Sequence, residues 1–396
     1  MQNLVHKYNL FFLFISIIWQ PMQLFLLHVD AAGRTTLILS LIAVFFNIPL
    51  LNKYKNVILS PSFICWTLLV VYSFANSMNK GFEEEHGAFY FTRVNFISPY
   101  IFLLVATIEL AENHIRFLKV MVIGFLSYFM IGIPHLEVGR ENRIEVQALG
   151  NIFALQAATA IFIACVLVCY QKLNKIVLFS LVVLALYIVI VSGARKALGA
   201  SAILIVGLLL ATNSSFSIKS VLRIVIFGIA IYWGITYLLE HTVLGDRMIE
   251  TEENVENIVF TSNEKINSII LFAVGDRGPM YMTGYELFLN NKWTGIGICN
   301  YQVASFSGLR LHSEYMVQLC ENGLVGMGLF FLTYFLMLKQ MIARIRRKDK
   351  YVIMGFFGFL TLMFLNITTW TYSLDFAMII YALSFNFSYN KKMQLT

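Results

Sequence analysis

Apolar runs, most of them near the length of a membrane-crossing helix, fill this chain, and mostly short polar breaks separate them. A hydrocarbon core of ~30 Å needs ~20 residues of helix. Twelve stretches come close to that measure: 9–28, 35–51, 58–77, 94–111, 117–134, 151–170, 175–192, 197–212, 220–239, 324–342, 351–368 and 373–389. In lipid, a helix satisfies its backbone donors and acceptors within one segment. The pattern therefore predicts an all-α polytopic membrane protein of about 12 transmembrane helices. The first stretch is interrupted by Gln20-Pro21 and Gln23. It reads as a retained span rather than a cleaved signal peptide, because its basic start is only Lys7 and the small residues after it, Ala31-Ala32-Gly33, form a loose patch. No internal repeat or low-complexity segment stands out.

One interval breaks the pattern. Residues 240–322 are polar for far longer than a connection requires, and long connections usually carry function. This divides the chain into helices one to nine over 1–239, a large loop with short amphipathic helices over 240–322, and helices ten to twelve with a tail over 323–396.

Composition agrees with a membrane protein. Of 396 residues, 59% are hydrophobic and 13% charged, against roughly 25% charged in soluble domains. The net charge of +7 does not point to nucleic acid. The basic residues lie in alternate loops: Lys53/Lys55, Arg116/Lys119, Lys172/Lys175, Lys219/Arg223, the run Arg344 to Lys350, and Lys391-Lys392. Cytoplasmic loops carry such an excess. The twelve-span order then puts the long loop outside, in the periplasm of a bacterial cell, together with Arg140, Arg143, Arg195 and Lys196. Cys165 and Cys169 are four residues apart on one apolar helix, a packing arrangement. Cys299 and Cys320 both lie in the long loop, and their pairing is left open.

Three segments could carry chemistry. In Ser192-Gly193-Ala194-Arg195-Lys196, a short turn joins two spans and holds Arg195 at the external interface among small residues. An ionisable side chain there is a functional candidate, with snorkelling to headgroups as the bland alternative. In Asp276-Arg277-Gly278-Pro279, Asp276 suits a helix N-cap and Pro279 the first turn. That puts Arg277 at an anion-favouring helix start, where a guanidinium can grip phosphate oxygens in pairs. A surface ion pair is the alternative. In His312-Ser313-Glu314-Tyr315, helical spacing places His312, Tyr315, Met316 and Leu319 on one face and Glu314, Gln318 and Glu321 on another. His312 suits a base near neutral pH, although a lone histidine is more often structural. No His-Glu-x-x-His run, phosphate-binding Gly-Lys loop, dinucleotide fingerprint or Gly-x-Ser-x-Gly elbow occurs.

Together these residues resemble the O-antigen ligase/polymerase superfamily of bacterial membrane glycosyltransferases. The matching features are the junction Ser192 to Arg195, Asp276-Arg277 followed by an amphipathic helix, Trp293 with Gly295-Ile296-Gly297, and His312-Ser313 followed by Gly323 and Gly326. They cover roughly residues 190–330, and the N-terminal spans carry no matching motif. The resemblance implies a GT-C-like fold in the bacterial inner membrane with its active site facing the periplasm. It implies metal-independent, inverting transfer from an undecaprenyl pyrophosphate-linked oligosaccharide, without a cofactor. On that basis Arg195 and Arg277 hold the pyrophosphate and His312 deprotonates the acceptor hydroxyl. Arg140 and Arg143 contribute to substrate binding, and Tyr281 and Tyr315 shape the acceptor or lipid path. The acceptor is a lipid-linked glycan for a polymerase, the favoured reading, or lipid A-core for a ligase. A chain-length regulator is a further expected partner. A transporter or flippase for lipid-linked sugars is the alternative from another class.

Overall fold

A computed structural model of the protein describes residues 2–27, 32–80, 97–138, 144–146, 151–170, 174–192, 194–212, 277–305, 310–345, 350–371 and 374–389. Over these it is almost wholly helical. The helices are α1 (Gln2–Pro21, continued by a π-helical turn, Met22–Leu27), α2 (Ala32–Leu51), α3 (Lys55–Ile58), α4 (Pro61–Asn79), α5 (Ile97–Gly132), α6 (Asn151–Tyr170), α7 (Lys175–Val191), α8 (Arg195–Thr212), α9 (Gly278–Asn290), α10 (Tyr301–Ala304), α11 (Glu314–Ile345), α12 (Lys350–Thr368) and α13 (Asp375–Tyr389). One antiparallel ribbon interrupts them, β1 (Leu136–Val138) with β2 (Ile144–Val146), in the register Leu136↔Val146. The sequence pattern did not predict this ribbon, because its strands are only three residues each.

Eleven of the twelve predicted stretches fall on helix, and the twelfth, 220–239, lies outside the described residues. Among the described residues, six helices are long and apolar enough to cross a membrane, and four shorter apolar helices accompany them. Two predicted spans, 94–111 and 117–134, fall almost wholly on α5 where they are described. As one straight rod of 36 residues, α5 would run about 54 Å at 1.5 Å per residue, far beyond the hydrocarbon. It is interrupted at Asn113, whose φ of −152° and ψ of 86° are not helical. The Asn113 side chain accepts a hydrogen bond from Arg116 N at 2.9 Å, as an N-cap does. The asparagine therefore ends one helical segment and starts the next.

Surface and interior are arranged as lipid contact requires. On α7, Ile176, Phe179, Val183 and Tyr187 form an exposed stripe at helical spacing, and on α2 Leu41, Ile42, Phe45, Phe46 and Ile48 are exposed. Apolar exposure on this scale calls for a non-aqueous neighbour. In contrast, α6 and α13 are buried along nearly their whole length, as expected of helices apolar on every side. Around them α5 packs on α1 and α13, α11 on α4, and α12 on α8.

Two polar clusters mark opposite ends of α4. Near its start, the buried Glu109 carboxylate takes His6 Nδ1 at 2.6 Å, Asn9 Nδ2 at 2.7 Å and Arg116 Nη2 at 3.4 Å. Asn9 and Asn47 exchange hydrogen bonds at 2.9 and 2.8 Å. Lys53 Nζ meets Glu112 at 2.7 Å beside them. Near the end of α4, Tyr72, Asn76 and Ser77 hold the segment that leads to the second cluster, where the predicted site residues gather.

Candidate active site at a strap between two helices

The end of α12 and the residues that follow it form a short strap, Asn366–Thr371, and the candidate side chains converge on it. Arg277 stands immediately before α9, and its Nη1 donates to Thr368 O at 3.3 Å. Lys196, in the first turn of α8, donates through Nζ to Thr369 Oγ1 at 2.9 Å. The Arg310 guanidinium lies 5.9 Å from the Trp370 ring centroid. The His312 imidazole meets the same ring at 5.1 Å, tilted by 39°. Three permanently cationic or lysine side chains and one histidine, from parts of the chain far apart in sequence, thus meet three consecutive residues.

Charge at this cluster acts on His312. Burial pushes its imidazole down to about 4, and the neighbouring positive charges of Arg277 and Lys196 push in the same direction. At neutral pH the ring is uncharged and has a lone pair to accept a proton. An anion bound between the cations would cancel part of their effect and raise its basicity, so base strength and anion binding are coupled here.

The strap is fixed at both ends. Ser313 Oγ donates to Asn366 O at 3.1 Å, and Asn366 Nδ2 donates to Tyr334 OH at 2.6 Å. Thr371 Oγ1 donates to Asn366 Oδ1 at 2.5 Å and lies 3.1 Å from Tyr381 OH. Thr371 N donates to the buried carboxylate of Glu314 at 2.7 Å. The other carboxylate oxygen accepts from Gln318 Nε2 at 2.7 Å, and Gln318 Oε1 in turn accepts from Asn322 Nδ2 at 2.9 Å.

The glycine motifs set the helix that carries this ladder. α11 is interrupted at Gly323, with φ 65° and ψ −163°. Backbone groups freed by the break are met by the Lys292–Gly297 segment. Leu324 N donates to Lys292 O at 2.8 Å and Val325 N to Trp293 O at 3.2 Å, while Ile296 N reaches Cys320 O at 3.0 Å and Gly297 N reaches Glu321 O at 2.8 Å. A Cβ at Gly295 would stand 2.4 Å from Glu321 C, and one at Gly323 would stand 2.5 Å from Trp293 O. Only glycine permits this crossing. Glu321 completes it by accepting from Cys299 N at 2.9 Å, and Asn76 Nδ2 clamps Thr294 O at 2.6 Å. Cys299 and Cys320 are both buried, and no disulfide joins them.

Several placements differ from the sequence pattern. His312 precedes α11 rather than lying on it, because the helix starts at Glu314. Ser313 O already accepts from Val317 N, but the Ser313 hydroxyl turns outward to the strap instead of capping. Arg277 itself occupies the N-cap position of α9, with Pro279 in the first turn as predicted. Asp276 lies outside the described residues, as do Arg140 and Arg143. Arg195 is the first residue of α8, and its side chain is also outside what is described. Tyr315 donates to Met363 O at 3.1 Å and stacks near Phe331, so it ties α11 to α12. Tyr281 is partly buried against the core. Lys196, Arg310 and the Asn366–Thr371 strap were missed as site residues. The run Asn366-Ile367-Thr368-Thr369-Trp370-Thr371, polar between two apolar stretches, was the available signal for the strap. In comparisons with family models and with curated proteins, no match to this chain was found.

Proposed function

We propose that this protein is a membrane glycosyltransferase that moves an oligosaccharide from undecaprenyl pyrophosphate to a sugar hydroxyl, as an O-antigen or surface-polysaccharide polymerase of the bacterial inner membrane. The observation that carries the reading is the meeting of Lys196, Arg277 and Arg310 with His312 at residues 368–370. A diphosphate ester needs its departing charge stabilised by fixed cations, and a hydroxyl nucleophile needs a nearby base.

In the reaction, His312 takes the proton of the acceptor hydroxyl as its oxygen attacks the anomeric carbon from the face opposite the leaving group. The bond from that carbon to the pyrophosphate oxygen breaks, and its electron pair leaves with the pyrophosphate. Arg277 and Lys196 receive the developing charge, and Arg195, the first residue of α8, is the further cation that the sequence resemblance assigns to the diphosphate. The configuration inverts, and no divalent ion is required. The bound diphosphate offsets the charges that depress His312, so the base strengthens when the donor is present.

A lipid-linked sugar transporter would also use cations in a helical bundle. Such proteins break their helices near the membrane midplane. Here the interruption in α11 falls at Gly323, where the predicted span begins, and the one in α5 falls between two predicted spans. This favours the transferase.

The test is lipopolysaccharide gel analysis of a deletion strain complemented with wild type, His312→Ala, Arg277→Ala or Arg195→Ala. Core carrying one repeat unit in the deletion strain is the polymerase outcome. Bare core, with polymer retained on the carrier lipid, would assign a ligase instead. Wild-type glycan from all three variants, each present in the membrane, would remove the transferase reading. Activity of the purified protein is expected to persist in EDTA.

A further inference from the structure

We propose that Glu314 is a positioning residue, whose buried carboxylate clamps the Asn366–Thr371 strap so that Arg277, Lys196 and His312 stay in register. This rests on the transferase reading above and adds to it a residue that touches no substrate.

Glu314 is fully buried, and both of its carboxylate oxygens are occupied. One accepts from the backbone of Thr371, at the far end of the strap. The other accepts from Gln318, one helical turn along α11. The strap's near end is held by Ser313, the residue between Glu314 and His312. Adjacent residues therefore hold both ends of the strap and carry the base. Between the two ends lie the three groups that meet the basic side chains: Thr368 O, Thr369 Oγ1 and the Trp370 ring. If the Thr371 end were released, Thr368 to Trp370 would move relative to His312. Arg277 and Lys196 would then lose their fixed position against the imidazole, and preorganised charge of this kind is worth about 10²–10³ in rate.

The ladder also predicts which replacement is tolerated. Asn322 Oδ1 is buried without a partner. Glu314→Gln can therefore be accommodated by turning over the amides of Gln318 and Asn322, which keeps an oxygen on Thr371 N and moves the unpartnered atom from oxygen to nitrogen. Glu314→Ala has no such route. Glu314→Asp keeps the charge but is one methylene too short to span the gap.

The experiment uses the full chain in nanodiscs, with undecaprenyl pyrophosphate-linked repeat unit extracted from the host as donor. The rate of transfer is measured across pH 4 to 8. Glu314→Ala is expected to lower kcat about 100-fold and to move the acid limb of kcat/KM upward by about one pH unit, as the cations that depress His312 shift away. Glu314→Gln should stay within about threefold of wild type with its acid limb unmoved. A general loss of folding would lower the rate without moving that limb. Where Glu314→Ala does not yield folded protein, Glu314→Asp is expected to show the same upward movement. An acid limb at the wild-type position in folded Glu314→Ala, or in Glu314→Asp, overturns the inference, as does Glu314→Gln behaving like Glu314→Ala. Empty nanodiscs and His312→Ala serve as the separate controls: wild type that transfers no more than empty nanodiscs ends the transferase reading itself, whereas an active wild type and an inactive His312→Ala beside an unmoved Glu314 variant sink only the positioning role.

Discussion

At the level of single residues, His312 is held uncharged at a cost that shows in stability. Its value in the folded protein is about 4, below the ~6.5 of an unfolded histidine. Between those values the unfolded chain binds more protons than the folded one. The contribution is fully present above about pH 6.5 and is lost as pH falls toward 4. Thermal melts are expected to show wild type losing stability relative to the non-titrating His312→Asn as pH falls from 7 to 4. Burial is the larger cause and the two cations the smaller, so Arg277→Met should return the acid limb of the pH–rate profile only part of the way toward 6.5. Arg277 and His312 were legible in the sequence because each sits beside a motif with a mechanical reason. Lys196 was not: it adjoins Arg195, and only the helix phase, about 100° between neighbours, decides which side chain meets the strap. Glu314 looked like one acid on a polar helix face, because sequence spacing cannot tell a solvated face from a buried ladder.

Among the elements, the break in α11 makes the sharpest prediction. Gly323→Ala would force a side chain into a positive-φ position and against Trp293 O. It is expected to cost at least about 1–3 kcal/mol from backbone strain, read as a lower melting temperature in detergent. Gly328→Ala is the matched control. A Cβ there meets nothing within 4 Å, and alanine in a helix is favoured by up to about 1 kcal/mol, so its melting temperature should be unchanged or higher. The positions of the helices were readable because runs of ~20 apolar residues leave few options in lipid. The joints were less so. Gly323 and Gly326 looked like a signature closing a loop; in the structure Gly323 interrupts the helix while Lys292 to Gly297 satisfies its backbone, and Gly326 leaves room for the Asn322 side chain. The ribbon of β1 and β2 was hidden because three-residue strands have no periodicity to detect.

Across the whole molecule, stability and proposed chemistry sit at different ends. The Glu109 cluster joins α1, α2 and α5, well away from His312 along α4. Glu109→Ala would strand His6, Asn9 and Arg116 without their shared acceptor, and a broken buried pair costs about 3–5 kcal/mol. A marked fall in melting temperature is expected, with the pH dependence of transfer by the surviving folded fraction unchanged. An altered acid limb would mean that the two ends communicate. The strap also imposes an order on assembly. Lys196, Arg277 and His312 emerge from the ribosome before Asn366–Thr371, and α13, which supplies Tyr381 beneath the strap, is the last described helix to be made. A chain truncated after residue 345 would keep Lys196, Arg277, Arg310 and His312 and have no strap for them to close on. If the proposed function holds, the growing chain is inert toward a lipid-linked donor until its final two helices are inserted, and biosynthesis itself times the onset of activity.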